Sequence, residues 1–210
     1  MSKIFSLFLS SLILLLTAVS TKAQVKNYKK LGDVFWMTKN LDVYTFQNGD
    51  SIKEAKTAEE WINAGENEQP AWCYYENNLE NGAKFGKLYN WYAVNDKRGL
   101  APKGWRIPGD GDWEALEVFL GDENGKKMKD TIGWNINCNG INTSGFSGLP
   151  AGYRAPNASF NEIGTWATWW SSSGIPNNTK VLYRSIWCGT TLWKLNAIKT
   201  SGLSVRCIHD

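Results

Sequence analysis

Between Gly86 and Leu120 the chain is punctuated so tightly that few backbone paths remain open to it. Leu88, Trp91, Tyr92 and Asn95 fall at helical spacing, which predicts a short helix burying Leu88, Trp91 and Tyr92 on one face. Arg98-Gly99 stops it, and Pro102, Gly104 and Pro108 fix a crossing segment with few free dihedrals. A second helix then follows, with Trp113, Leu116 and Leu120 on one face, Phe119 beside them and Gly121 as its stop. Two short apolar helices joined this way must bury their faces against something, and the Trp- and Gly-rich second half looks built to pack on them.

Upstream, Val34-Phe35-Trp36-Met37 is a β-prone run and Asn48-Gly49-Asp50 a turn signal. Thr57 and Glu60 have capping-box spacing at the head of a helix ending near Gly65. Ala71 to Tyr75 reads as an extended aromatic segment, and Glu76 to Lys84 as an Asn- and Gly-rich loop. Beyond Gly121 come aromatic or β-branched runs at hairpin-like intervals: Gly148–Arg154, Thr165–Ser171, Val181–Trp187, Leu192–Ile198 and Leu203–Ile208. Gly133 to Gly148 reads as a long irregular loop. Helices early and strands late give an α+β class, with two or three short helices against a twisted, mainly antiparallel sheet.

At 210 residues the chain suits one domain. Residues 1–23 read as a secretory signal, with Lys3, an apolar run from Ile4 to Val19 and Thr21-Lys22-Ala23 before the cut. Residues 24–32 form a polar lead-in, and the domain proper is 33–210. No later stretch is long and apolar enough to span a membrane, and no Cys follows the apolar run to carry a lipid anchor. The chain holds 23 basic and 20 acidic residues, and Lys3 and Lys22 leave with the leader. The near-neutral remainder argues against a nucleic-acid partner.

The four cysteines are Cys73, Cys138, Cys188 and Cys207. An exported chain with an even count favours disulfides. Four cysteines allow three connectivities, and spacing does not choose among them; the pairing favoured is Cys73–Cys207 with Cys138–Cys188. The long, irregular spacings and a single His209 argue against a Cys/His metal centre.

Six motifs occur in an order that identifies a family. They are Gly86-Lys-Leu-Tyr-Asn-Trp-Tyr-Ala-Val94, Pro102-Lys-Gly-Trp-Arg-Ile-Pro108 and Asp112-Trp-Glu-Ala-Leu116, then Gly145-Phe-Ser-Gly-Leu-Pro-Ala-Gly-Tyr-Arg154, Trp169-Trp-Ser-Ser-Ser173 and Ser204-Val-Arg-Cys207. The chain resembles the Fibrobacter succinogenes major paralogous domain family over nearly all of 33–210. That resemblance implies an exported bacterial protein with a C-type-lectin-like fold and no known activity. Two departures are visible. Ala101 stands where the family often has Cys, and Gly109 where it often has a Ser or Thr helix cap.

Against that background the 12 Trp residues divide. Trp36, Trp91, Trp105 and Trp113 belong to the core by placement, and of the adjacent Trp169 and Trp170 one is expected in the core and the other half exposed. Trp187 and Trp193 flank a Cys-Gly-Thr-Thr turn. The candidate ligand face is the late loop face around Tyr153, Arg154, Trp170, Trp187 and Trp193. Asp110, Asp112 and Glu114 form an alternating acidic run of the kind a calcium site uses, but the start of a helix explains them as capping and dipole acids. No calcium or other cofactor is therefore expected. Glu68-Gln69-Pro70 lacks the acid after Pro that lectin sugar motifs carry. Asp96, Glu114 and Glu162 are available for a hydrolase, yet nothing selects them, and one terminal His leaves no Ser-His-Asp or Cys-His arrangement. Asp50-Ser51-Ile52 and Asp130-Thr131-Ile132 resemble a bacterial O-glycosylation acceptor at Ser51 and Thr131. The function expected is a secreted or cell-surface binding module for a glycan or a surface protein, without catalysis. The alternatives are a structural component of a surface assembly and, less favoured, a hydrolase.

Overall fold

The computed structural model describes residues 27–175 and 178–210. The expected leader, residues 1–23, lies outside the described residues, as do 24–26 of the lead-in. The elements run β1 (Tyr28–Leu31), β2 (Val34–Met37), β3 (Lys53–Glu54), α1 (Ala58–Glu66), β4 (Ala71–Cys73), α2 (Leu79–Phe85), β5 (Leu88–Tyr89) and α3 (Trp91–Val94). Next come α4 (Asp110–Leu120), α5 (Asn124–Met128), β6 (Ala151–Arg154), β7 (Phe160–Ile163), β8 (Ala167–Gly174), β9 (Lys180–Ile186), β10 (Trp193–Ile198) and β11 (Ile208–His209). The class is α+β, with short helices and several small, mainly antiparallel sheets.

The first and last described strands share one sheet, with β2 between β1 and β11. Part of the expected polar lead-in is thus a strand, because Leu31 is buried and Gly32 turns the chain with φ +65°. The capping box at α1 is present: Thr57 Oγ1 accepts from Glu60 N and Glu60 Oε2 accepts from Thr57 N. The helix expected over Leu88–Asn95 begins later. Leu88 and Tyr89 instead pair with Cys73 and Trp72 as β5. Asn90 then starts α3, its Oδ1 accepting from Ala93 N and Ala71 N while Nδ2 donates to Gln69 O. Within Glu76–Lys84, expected as loop, the chain forms α2. Asn78 caps it, and a Cβ at Gly82 would meet the Tyr74 ring at 2.5 Å, so the glycine permits packing rather than a turn.

Strands β10-β9-β8 form the sheet on which the second half is built. Trp169 and Trp170 leave β8 in opposite directions, and neither is half exposed; both are fully buried. Trp169 packs on Phe146 (5.2 Å) and Trp113 (6.1 Å), and its indole N–H donates to Asn40 Oδ1 at 2.9 Å. Trp170 donates to Tyr89 O at 2.7 Å in the other core cluster. Helix α4 covers one face of the sheet, and the β5–α3 region covers the other.

One of the two favoured disulfides is present, Cys138–Cys188. The other is not. Cys73 and Cys207 are free and buried, Cys73 in the cluster around Trp61 and Cys207 in the cluster around Trp170. Burial pushes both thiols up to about 12, so both stay protonated and inert. Native protein should therefore show no titratable thiol, and unfolded, unreduced protein two. Four thiols on unfolding would contradict the Cys138–Cys188 bond, and none would restore Cys73–Cys207. Replacing Cys138 and Cys188 with Ser, which opens a link across a sequence separation of 50, should cost about 2–4 kcal/mol in a urea titration.

Candidate functional site

The β8–β9–β10 register decides where the late aromatics go. Thr168, Ser185 and Trp193 form one cross-strand row, and Trp170, Tyr183 and Leu195 form the next row on the same face. Trp166 directly precedes β8 and Trp187 directly follows β9, so alternation puts both on that face as well. The result is a file of aromatic rings at one end of the sheet. Tyr153 lies 6.0 Å from Trp166, Trp166 5.3 Å from Trp187, and Trp187 5.3 Å from Trp193. The last two indoles are parallel within 5°. Centroids that close cannot belong to coplanar neighbours, so the rings stand off the sheet and stack. They present their edges outward, with one open face on Trp193, which is 44% exposed at the free edge of the sheet.

None of the three indole N–H groups in this file donates to a protein acceptor among the described residues. The core indoles of Trp61, Trp72, Trp134, Trp169 and Trp170 do, whereas the buried Trp113 Nε1 has no partner among those residues. The file thus offers donors at its edge and an apolar face at its end. Ile136, 88% exposed, lies on the loop that the Cys138–Cys188 bond ties beside Trp187.

The turn between Trp187 and Trp193 is pinned from below. Cys188 is tied to Cys138. Lys129, 2% exposed, donates from Nζ to the carbonyls of Trp187 (3.2 Å) and Gly189 (3.0 Å). Burial and, secondarily, Lys126 push its ammonium below the usual lysine range. Asn124 Oδ1 accepts from Leu192 N at 2.7 Å, and Thr190 O accepts from Lys126 N. Gly125 lets α5 approach this closely, since a Cβ there would lie 2.7 Å from the Thr191 carbonyl carbon.

Of the expected ligand residues, Tyr153, Trp187 and Trp193 come together here. Arg154 and Trp170 do not. Trp170 is core, and Arg154 spends its guanidinium on the carbonyls of Ala55, Thr57 and Ala158. Trp166, not singled out from the sequence, completes the file. Its signal was parity, two residues before Thr168 on a strand already expected.

The acids at the head of α4 serve cations. Arg106 grips Asp112 with two bonds (2.6 and 2.9 Å), and Asp112 also accepts from Gly109 N. Asp110 faces Arg184 and Lys194, and Glu114 faces Lys194. Asp96 is bound by Arg98, and Glu162 accepts from its neighbour Thr165. Ser51 and Thr131 are both exposed. No helix among the described residues is long and apolar enough to cross a membrane.

A one-disulfide α+β domain with an aromatic file at a sheet end is the class these features define. The profile of the Fibrobacter succinogenes major domain matches residues 30–209, and the chain belongs to that family. Neither the curated proteins nor the solved structures contain a significant match.

Two outcomes follow for stability. Burial opposes ionisation of Asp110 and Asp112. For Asp110 the Lys194 and Arg184 bonds outweigh it, and for Asp112 the Arg106 bond does, so both carboxyls sit below their ordinary value. Their folded values are lower than their unfolded ones, so the stability they add is present at neutral pH and lost as pH falls below about 4. Asp112→Asn should lower the neutral-pH melting temperature and flatten the acid limb of the profile; an unchanged limb would refute the assignment. Lys129→Met leaves two carbonyls without a donor and should cost about 1–3 kcal/mol by urea unfolding.

Proposed function

We propose that the protein is a binding module acting outside the cell, and that it recognises a glycan through the Tyr153–Trp166–Trp187–Trp193 file. The observation that carries this is the pairing of an open indole face at Trp193 with indole N–H groups beside it that bond no protein acceptor among the described residues. A sugar ring has an apolar C–H face to stack and hydroxyls to accept from those donors. The pinned turn supports the proposal, because rings held in place lose little side-chain entropy on binding. Export is supported by the leader-like residues 1–23 and by a disulfide, which persists in oxidising compartments. A C-type-lectin-like arrangement is the fold we favour within the α+β class. Catalysis is not part of the proposal, since the acids available for it are occupied by cations or by a neighbouring hydroxyl.

A protein partner is the second reading, favoured by the isoleucines Ile132 and Ile136, exposed on the loop beside the file. A panel of neutral glycans titrated against the oxidised protein, followed by Trp fluorescence, separates the two. A saturable shift weakened at least about tenfold by Trp193→Ala is expected. No shift with any glycan, together with capture of an envelope protein that Ile136→Ser abolishes, would transfer the site to the second reading.

A further inference from the structure

Arg154, Arg184 and Arg206 are all fully buried. Arg184 meets the carboxylates of Asp110 and Glu117. Arg206 meets none. Its Nε donates to Asn40 Oδ1 at 2.8 Å, Nη1 to the carbonyls of Met37 (2.8 Å) and Phe146 (2.6 Å), and Nη2 to the Ser147 carbonyl at 3.0 Å. A guanidinium has five N–H groups, so one on Nη2 is left without an acceptor among the described residues. Unlike a cation enclosed on all sides, Arg206 lines a cavity of about 420 Å³, between the 38–42 segment, the last turn of α2 and Ser147.

The charge around that cavity is unbalanced. Lys39 and Lys84 stand on its rim, and neither has a carboxylate partner among the described residues. Asp42 lines it too but is engaged by Lys87, which leaves Asp130 as the one acid against three cations. A buried charge without a counter-ion is costly. Burial pushes the Arg206 guanidinium down to about 9, with Asp130 opposing. A concave site with an excess of one sign of charge concentrates its field on whatever enters. The volume falls in the range of small-ligand sites, and Thr38, Asn40 and Ser147 add polar groups to the wall.

We propose that this cleft binds a sugar-sized organic anion, with Lys39 and Lys84 on its oxyanion and the buried Arg206 beneath. The shared chemistry is a negatively charged oxygen group on a body of about one sugar ring, as in a hexuronate or a hexose sulfate. The site is separate from the aromatic file and does not depend on it.

The test uses the isotope-labelled, oxidised protein, with the backbone amides of Thr38–Asp42 and Lys84–Gly86 followed by NMR. The probes are glucuronate, glucose 6-sulfate, glucose and inorganic sulfate. Saturable shifts with glucuronate or glucose 6-sulfate are expected, the tighter of the two naming the source. The affinity should fall about tenfold in Lys39→Gln/Lys84→Gln, weaken with salt and be unchanged in Trp193→Ala. Both lysines are exposed and outside the Lys87–Asp42 pair, so the double variant keeps the core intact. No shift with either acid would overturn the proposal. So would equal shifts with glucose, or inorganic sulfate binding as tightly as the acids, which would mark a simple counter-ion site.

Discussion

Trp169 and Trp170 leave one strand in opposite directions and both end in the core. Everything else follows from that. A small sheet in a domain of this size ordinarily has one wet face. Here α4 and Phe146 cover one face and the β5–α3 region the other, so β8 is dry on both sides from Ala167 to Ser171. Side chains available for recognition on this sheet are therefore confined to its end and its free edge. Trp166, Trp187 and Trp193 are where the row runs out, at the end where covering stops.

Holding those rings in place falls to parts of the chain that look unremarkable alone. The turn after Trp187 has no regular structure, yet it is bound to α5 by a disulfide-linked loop, a buried lysine and an asparagine side chain. The same device recurs elsewhere. Arg154, Arg206 and Lys129 all direct their charge to backbone carbonyls, most of them in irregular segments. Long side-chain donors thus replace the sheet and helix hydrogen bonds that such segments lack. Each cation therefore fixes loop geometry as well as filling space.

Local signals in the sequence located much of the fold. The strand Val34–Met37, the Thr57–Glu60 capping box and the buried face Trp113–Leu116–Leu120 are all set by neighbours within a few residues. So is the placing of Trp187 and Trp193 on either side of a turn. What the sequence hid depends on partners outside the local pattern. Gly82 read as a loop residue because its reason, the Tyr74 ring, lies in the preceding turn. Arg154 read as a surface ligand because its three carbonyl partners lie on either side of it in the chain, two of them far away. Cys73 and Cys207 looked like partners by even count, but each fills a different core cluster. Trp166 needed the cross-strand register, which sequence does not fix.

The claim on which the account rests is that Trp187 and Trp193 are stacked before any ligand arrives. In a stacked pair each indole lies in the ring-current field of the other, and its ring protons move upfield. Proton NMR of the free protein, compared with Trp187→Leu, measures this directly for Trp193. The account predicts that the Trp193 ring protons lie upfield of the free indole range and return towards it in Trp187→Leu. Trp193 ring protons at the free indole range and unmoved by Trp187→Leu, with folding intact by thermal melt, would mean that the rings are not stacked in solution and that the site is not preformed.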